Sequence, residues 1–157
     1  MPVFKFRLDF LISLRRQKEE EAALKLAKRL ASIAELEESI ESMHEHLILM
    51  AAEVTEHGQK GRLTGPLLKL YSDYQNRLRQ DIRKAEELLI LSRREEAKER
   101  QALTRAVMDR QLIEKVKDQK KEAFLVEARY EEQNNLEEQA TAARVRHLKE
   151  AGVTDAN

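Results

Sequence analysis

The chain has 157 residues, of which 37% are charged and only 4% aromatic, and it contains neither Cys nor Trp. Lys and Arg total 29, as do Asp and Glu, so the formal net charge is zero, which argues against a dedicated nucleic-acid binder. The lack of cysteine excludes disulfides and thiolate chemistry. Richness in Ala, Glu, Lys, Leu and Arg instead favours a coiled coil.

The N-terminal stretch from Phe4 to Leu14 is partly apolar, but Lys5, Arg7 and Asp9 interrupt it. A secretory signal would need an unbroken apolar run followed by small residues, so this stretch does not fit one. No apolar run elsewhere approaches the roughly 20 residues that cross a bilayer. We therefore expect no direct insertion into a membrane.

Residues 6–57 are predicted to form the first helix, because apolar residues recur there every seven positions without a helix breaker. A second apolar series falls three residues after members of the first, and the two series together form a coiled-coil seam. Such a narrow stripe suits one partner helix better than a globular core. The predicted seam residues are Leu26, Ile33, Leu36, Ile40, Met43, Leu47, Met50 and Val54.

Residues 58–65 are predicted to form a bend. The segment from Gly58 to Pro66 holds three of the four glycines and one of the two prolines in the chain. Glycine ends helices readily, and proline is tolerated in the first turn of the helix that follows. We therefore expect two long helices to be joined here.

Residues 66–148 are predicted to form the second helix, followed by a disordered tail at 149–157, with the whole chain 1–157 as a single coiled-coil domain. The apolar stripe weakens where Ser92, Glu96 and Glu99 occupy the seam. The predicted seam residues of this helix are Tyr71, Tyr74, Leu78, Ile82, Ala85, Leu89, Leu103 and Ile113.

These elements predict an all-α fold, an antiparallel two-helix coiled-coil hairpin whose second helix is longer than the first. Folding about the bend places residue i near roughly residue 123 minus i, within several positions. The polar stretch of the second helix then faces Lys25, Lys28 and Arg29, and we predict that this polar layer fixes the register. Past about residue 122 the second helix has no partner in this arrangement, which leaves apolar residues from Phe124 onwards unpaired.

No catalytic, metal-binding or cofactor-binding site is predicted. His44 and His46 are two positions apart, so they point in different directions on a helix and cannot share a metal ion. Glu53 and His57 would supply only two ligands, fewer than a stable site needs. The bend lacks the spacing of a phosphate-binding loop. Two paired helices offer no concave pocket either, so we expect no enzyme activity and no cofactor.

Three segments of distinctive sequence follow one another along the chain. The first, from Phe4 to Ala22, reads FKFRLDFLISLRRQKEEEA, an aromatic and basic start followed by leucines, arginines and glutamates. The second is the bend with the aromatic-Gln segment that ends at Gln75, and the third is the charged stretch from Glu114 to Glu138. Together they resemble FliJ-type proteins of the bacterial flagellar export apparatus, over nearly the whole chain.

This resemblance implies a non-catalytic stalk, similar to the central stalk of rotary ATPases, that inserts into the ring of the hexameric export ATPase and promotes its assembly and activity. It implies further contacts with the cytoplasmic domain of the export gate membrane protein and with export chaperones. The expected location is the cytoplasm, at the cytoplasmic side of the inner membrane, in a system that serves motility.

By analogy with rotary stalks, the end that carries both termini would enter the ring. The residues that would contact the ring under this analogy are Phe4, Phe6, Leu8, Leu11, Arg15, Arg129, Glu131, Glu132 and Glu137.

Other interpretations remain open. The chain could be a structural spacer or tether, including a homodimer formed through the unpaired C-terminal segment, or the equivalent stalk of a virulence-type injectisome. A binder of membrane surfaces or nucleic acid would need a basic tail or interleaved aromatic residues, and neither is present. Addition of a hexameric ATPase separates stalk from spacer, because a spacer should not alter its turnover.

Overall fold

A computed structural model describes the backbone of residues 3–154 and the side chains of residues 3–152. Nearly all of this range belongs to two helices, α1 (Asp9–Gln59) and α2 (Gly65–Thr154), and no strand occurs within it. The fold is an antiparallel two-helix coiled-coil hairpin with a longer second helix, which confirms the predicted fold class. The chain divides into a terminal unit, residues 1–15 and 109–157, and a central unit, residues 16–108.

The end of α1 lies at Gln59 rather than at the predicted residue 57, and its cap explains why. Gly58, expected to open the bend, lies inside the helix, whereas Gly61 adopts the left-handed conformation at φ 68°. The Arg62 N–H donates to the His57 carbonyl at 3.0 Å, and the Gly61 N–H donates to the Gly58 carbonyl at 3.3 Å. These two bonds define a Schellman cap, so the glycine that ends α1 is Gly61.

The two helix starts also differ slightly from the prediction. α1 begins at Asp9, later than the predicted residue 6, and the carboxylate of Asp9 in the first turn is favourable at the positive end of the helix dipole. α2 begins at Gly65, one residue earlier than predicted. The Thr64 side-chain Oγ1 accepts a hydrogen bond from the Leu67 N–H at 3.4 Å, the geometry of an N-cap.

The C-terminal end of α2 extends beyond the predicted residue 148, because the helix continues through Thr154. The first part of the predicted disordered tail is therefore helical. Gly152 does not stop the helix, since a single glycine costs only about 1 kcal/mol relative to alanine. Residues 155–157 of the predicted tail lie outside the described residues.

The core of the central unit is a single seam between α1 and α2. Its most buried apolar side chains are Leu26, Ile33 and Met50 of α1 and Ile82 of α2, each at most 7% exposed. Buried and half-buried positions follow one another at steps of three and four residues along both helices. This spacing is that of a coiled coil, in which each helix buries one narrow stripe.

The aromatic residues near the bend show where the seam of α2 begins. The ring of Tyr71 lies 6.5 Å from the ring of His57 and is half-buried. Tyr74 is 44% exposed, with its ring 5.8 Å from that of His46, while the neighbouring Gln75 is half-buried. The structure therefore continues the stripe from Tyr71 by a step of four residues, and Tyr74 lies at its edge.

Contacts across the central unit show the antiparallel direction and the register. Arg29 Nη2 lies 3.1 Å from Glu99 Oε1, and His44 Nε2 lies 3.7 Å from Glu86 Oε1. The pairing rule from the sequence placed residue 94 opposite Arg29 and residue 79 opposite His44. The true partners thus lie later in α2, by several positions.

Candidate docking surface of the terminal unit

Three contacts join the N-terminal segment to α2 within the terminal unit. The Phe4 and Phe124 rings lie 5.6 Å apart at an angle of 48°. Lys117 Nζ donates to Asp9 Oδ1 at 2.7 Å, and Arg15 Nη1 donates to Asp109 Oδ2 at 3.3 Å. The partner in α2 falls in number as the N-terminal residue rises, so this unit is antiparallel as well.

The prediction that Phe124 lacks a partner is wrong, because its ring packs against Phe4. The reason is the register, which places the partners of the N-terminal residues later in α2 than the pairing rule did. Ala128 is still half-buried, and every described side chain from residue 129 to 152 is exposed. The exposed part of α2 therefore begins at residue 129, whereas the pairing rule left the helix without a partner past about residue 122.

This exposed segment, residues 129–152, is called the α2 extension. It exposes several apolar side chains, with Tyr130 at 66%, Leu136 at 61% and Leu148 at 69%. Isolated helices gain little stability without a packed face. An exposed helix with apolar side chains among charges can place one face in the groove of another protein.

The residues predicted to contact an ATPase ring occupy two different environments. Phe6 is only 7% exposed, Leu8 is 37% exposed, and Phe4, Leu11 and Arg15 are half-buried. The four remaining residues are all exposed on the α2 extension: Arg129, Glu131, Glu132 and Glu137. The N-terminal group mainly forms the interior of the terminal unit, and the α2 group forms its surface.

The central unit contains a second cluster of polar side chains, within its seam. Hydrogen bonds from Arg100 at 2.8 Å and from Arg93 at 2.9 Å hold the pKa of the Glu96 carboxyl below its ordinary value. Glu99 accepts from Arg29, and this hydrogen bond raises the pKa of the Arg29 guanidinium. The predicted contact between the polar stretch and Arg29 is therefore present.

Apart from the Arg29 contact, sequence reasoning missed the charged partners across the helix pair. Arg93 also contacts Glu37, and in the terminal unit Asp109 and Lys117 pair with residues of the N-terminal segment. Each helix has many charges, so composition alone matches any cation with several anions. Only the correct register, which is several positions from the predicted one, identifies the partners.

Two searches of the described residues concern other kinds of site. No group of three or more His, Asp or Glu side chains in this part of the chain could hold a metal ion. Neither helix, over the range described, has a stretch that is both long enough and apolar enough to cross a membrane.

Two long helices that pair along a narrow apolar seam define a coiled-coil protein. The family model described as Flagellar FliJ protein matches residues 4–149. The chain therefore belongs to the FliJ family and is a protein of the flagellar export apparatus. No curated protein and no solved structure matches it significantly.

Proposed function

We propose that this protein is the stalk of the hexameric export ATPase. In this proposal the α2 extension inserts into the ring, promotes its assembly and raises its rate of ATP hydrolysis. The observation that carries the proposal is the exposure of every described side chain from residue 129 to 152. A helix whose side chains are all exposed presents a surface that a partner protein can bind.

The shape of a helix explains how such an insertion would act on a ring. One helix cannot present the same side chains to all six subunits of a ring, so the subunits bind it with different free energies. A ligand with different affinity for two states of a protein shifts the balance between them. The stalk would therefore favour different nucleotide states in different subunits, which couples its position to hydrolysis.

The burial of the proposed contact residues suggests a division of roles. Arg129, Glu131, Glu132 and Glu137 are exposed and would touch the ring directly. Leu8, at 37% exposure, would add an apolar contact at the edge of this surface. The more buried N-terminal residues, Phe4, Phe6, Leu11 and Arg15, would hold the preceding part of α2 in place.

The proposal includes two further contacts and a location, all supported by membership of the family. The stalk would link the ATPase to the cytoplasmic domain of the export gate and would bind the export chaperones. It would work in the cytoplasm at the inner face of the inner membrane. Co-purification of each partner with the full chain, and loss of each after removal of residues 129–157, would assign these contacts to the α2 extension.

The decisive experiment measures ATP hydrolysis by the purified export ATPase alone, with the full chain, and with a chain truncated after Ala128. This truncation keeps the contact between the aromatic side chains of Phe4 and Phe124. We therefore expect the remaining helix pair to keep its packing. We expect the full chain to stimulate hydrolysis and the truncated chain not to do so. Circular dichroism would show that the truncated chain is still helical.

A charge variant with a matched control tests the contact residues themselves. The variant replaces Glu131, Glu132 and Glu137 with Ala, and the control replaces three exposed glutamates of α1, Glu35, Glu38 and Glu41, with Ala. We expect only the first variant to weaken stimulation. If the full chain leaves hydrolysis unchanged while the ring assembles, the protein is a spacer or tether instead.

A further inference from the structure

The seam of the central unit contains three consecutive polar positions on α2. Ser92 and Glu96 are each 8% exposed and Glu99 is 7% exposed, and they lie between the apolar seam residues Leu89 and Leu103. Polar residues at seam positions lower the stability of a coiled coil, but they can select its register and its partner. Each buried glutamate is paired with arginine side chains. The helix that supplies those arginines decides whether the glutamate can select the register.

Glu96 obtains its cations from its own helix. Arg100 Nε donates to it at 2.8 Å and Arg93 Nη1 at 2.9 Å, and both arginines belong to α2. These contacts are made between residues three and four positions apart, so they accompany α2 into any pairing. Glu96 therefore cannot distinguish α1 from another helix.

Glu99 depends on the opposite helix. Its Oε1 accepts from Arg29 Nη2 at 3.1 Å and from Arg29 Nε at 3.3 Å. Its Oε2 is buried and has no hydrogen-bond partner among the described residues. A buried carboxylate that loses its cation across the seam is strongly unfavourable. Glu99 therefore favours the register in which α1 presents Arg29.

The neighbouring seam positions of α1 cannot replace Arg29. Seven residues before it lies Ala22 and seven residues after it lies Leu36, and both are half-buried. A shift of α1 by one heptad would keep the apolar stripes in contact, but it would place one of these apolar side chains opposite Glu99. The rest of the seam tolerates such a shift, and this position does not.

We propose that the Arg29–Glu99 pair is a recognition element, which fixes the heptad register of α1 on α2. This inference does not depend on the proposed stalk function. It concerns how the chain selects one register of α1 among alternatives with equally apolar seams.

The test replaces Glu99 by Leu in the full chain, with Glu95→Leu as the matched control. Both changes remove one carboxylate from the same helix, but the Glu95 side chain is 49% exposed and pairs with Lys98. Disulfide trapping reports the register, since the chain has no cysteine of its own in the described residues or elsewhere.

Two engineered pairs distinguish the registers. His44→Cys with Glu86→Cys traps the native register, in which His44 Nε2 lies 3.7 Å from Glu86 Oε1. His44→Cys with Arg79→Cys traps a shift of one heptad, which places Ala22 opposite Glu99. We expect Glu99→Leu to raise the yield of the shifted disulfide at least about tenfold, equivalent to about 1.4 kcal/mol.

The outcomes separate clearly. A Glu99→Leu chain that forms only the native disulfide would overturn the proposal. So would equal effects from Glu95→Leu. A charge exchange, Arg29→Glu with Glu99→Arg, keeps the pair and should keep the native register. A shifted register in the exchanged chain would also contradict a recognition role.

Discussion

Two parts of α2 have a similar mixture of charged and apolar residues but opposite burial. Between residues 82 and 103 even charged side chains are buried, since Glu96 is 8% exposed and Glu99 is 7% exposed. In the α2 extension, by contrast, Leu136 and Leu148 are 61% and 69% exposed. Burial along this helix is therefore decided by the presence of a partner helix rather than by the polarity of each side chain.

The same difference separates two sources of stability. The paired part of α2 is held by contacts between helices, so we expect it to unfold together with α1. The described side chains of the α2 extension are all exposed, and the hydrogen bonds of an exposed helix open at low cost. Substitutions that are matched between the two parts should therefore have very different effects on unfolding.

The largest effect should come from Ile33→Ala, because Ile33 is the most deeply buried side chain of the seam, at 2% exposure. The change removes apolar contacts and leaves a cavity, so we expect the free energy of unfolding to fall by about 2–5 kcal/mol. Denaturation in urea, followed by circular dichroism, measures it. Ile48→Ala, at a site 69% exposed, is the control and should change it by less than about 0.5 kcal/mol. Equal effects at the two sites would refute the seam as the core.

A smaller effect is expected from Phe124→Ala, at the last aromatic contact before the α2 extension. The Phe124 ring is half-buried and lies 5.6 Å from that of Phe4. We expect a loss of about 1–3 kcal/mol, since the site is less enclosed than a full core position. Tyr130→Ala, at a ring 66% exposed, should be nearly neutral. A large loss from Tyr130→Ala would show that the extension is packed.

The fold could be predicted because its signals are local. A heptad repeat such as that of Ile33 and Ile40 needs only neighbouring residues to be read, and Gly61 marks the bend through its backbone conformation. The register could not be predicted as well, because it depends on how both helices enter the bend. An error of a few residues there moved the predicted start of the unpaired segment and left Phe124 without its partner.

For the candidate docking surface, the sequence indicated the exposure of the C-terminal residues but not the burial of the N-terminal ones. The exposure of Glu131, Glu132 and Glu137 follows from their lying beyond the reach of α1, which length alone indicates. Burial of Phe6 does not follow from its neighbours in sequence, since an aromatic residue near a terminus is equally compatible with an exposed anchor. Its 7% exposure depends on contacts that only the structure shows.

The pH dependence of unfolding should distinguish the paired part from the extension through Glu96. Arg100 and Arg93 hold its pKa below the ordinary 4.5 in the folded chain. This contribution to stability is therefore complete above pH 4.5 and is lost as the pH falls through the folded-state pKa. As the pH falls through this acidic range, we expect the urea midpoint to fall less in the Glu96→Gln variant than in the unchanged chain. This difference in midpoint should be smaller than the one that Phe124→Ala produces. Glu138→Gln, on the extension, is the matched control, and an equal change there would contradict a specific role for Glu96.

The smallest effect on unfolding should come from the change that most disrupts a helix locally, Ala140→Pro in the α2 extension. Proline removes a backbone hydrogen bond and clashes with the preceding turn, which costs about 3 kcal/mol in a helix interior. Residues on both sides of 140 are exposed, so this cost is not transmitted to the seam. We expect helical signal to fall while the urea midpoint of the main transition stays constant. Ala85→Pro, at a half-buried seam position, should lower that midpoint strongly. If Ala140→Pro lowered it as well, the extension would be part of the cooperative unit, and its exposed face would need a partner within the folded chain.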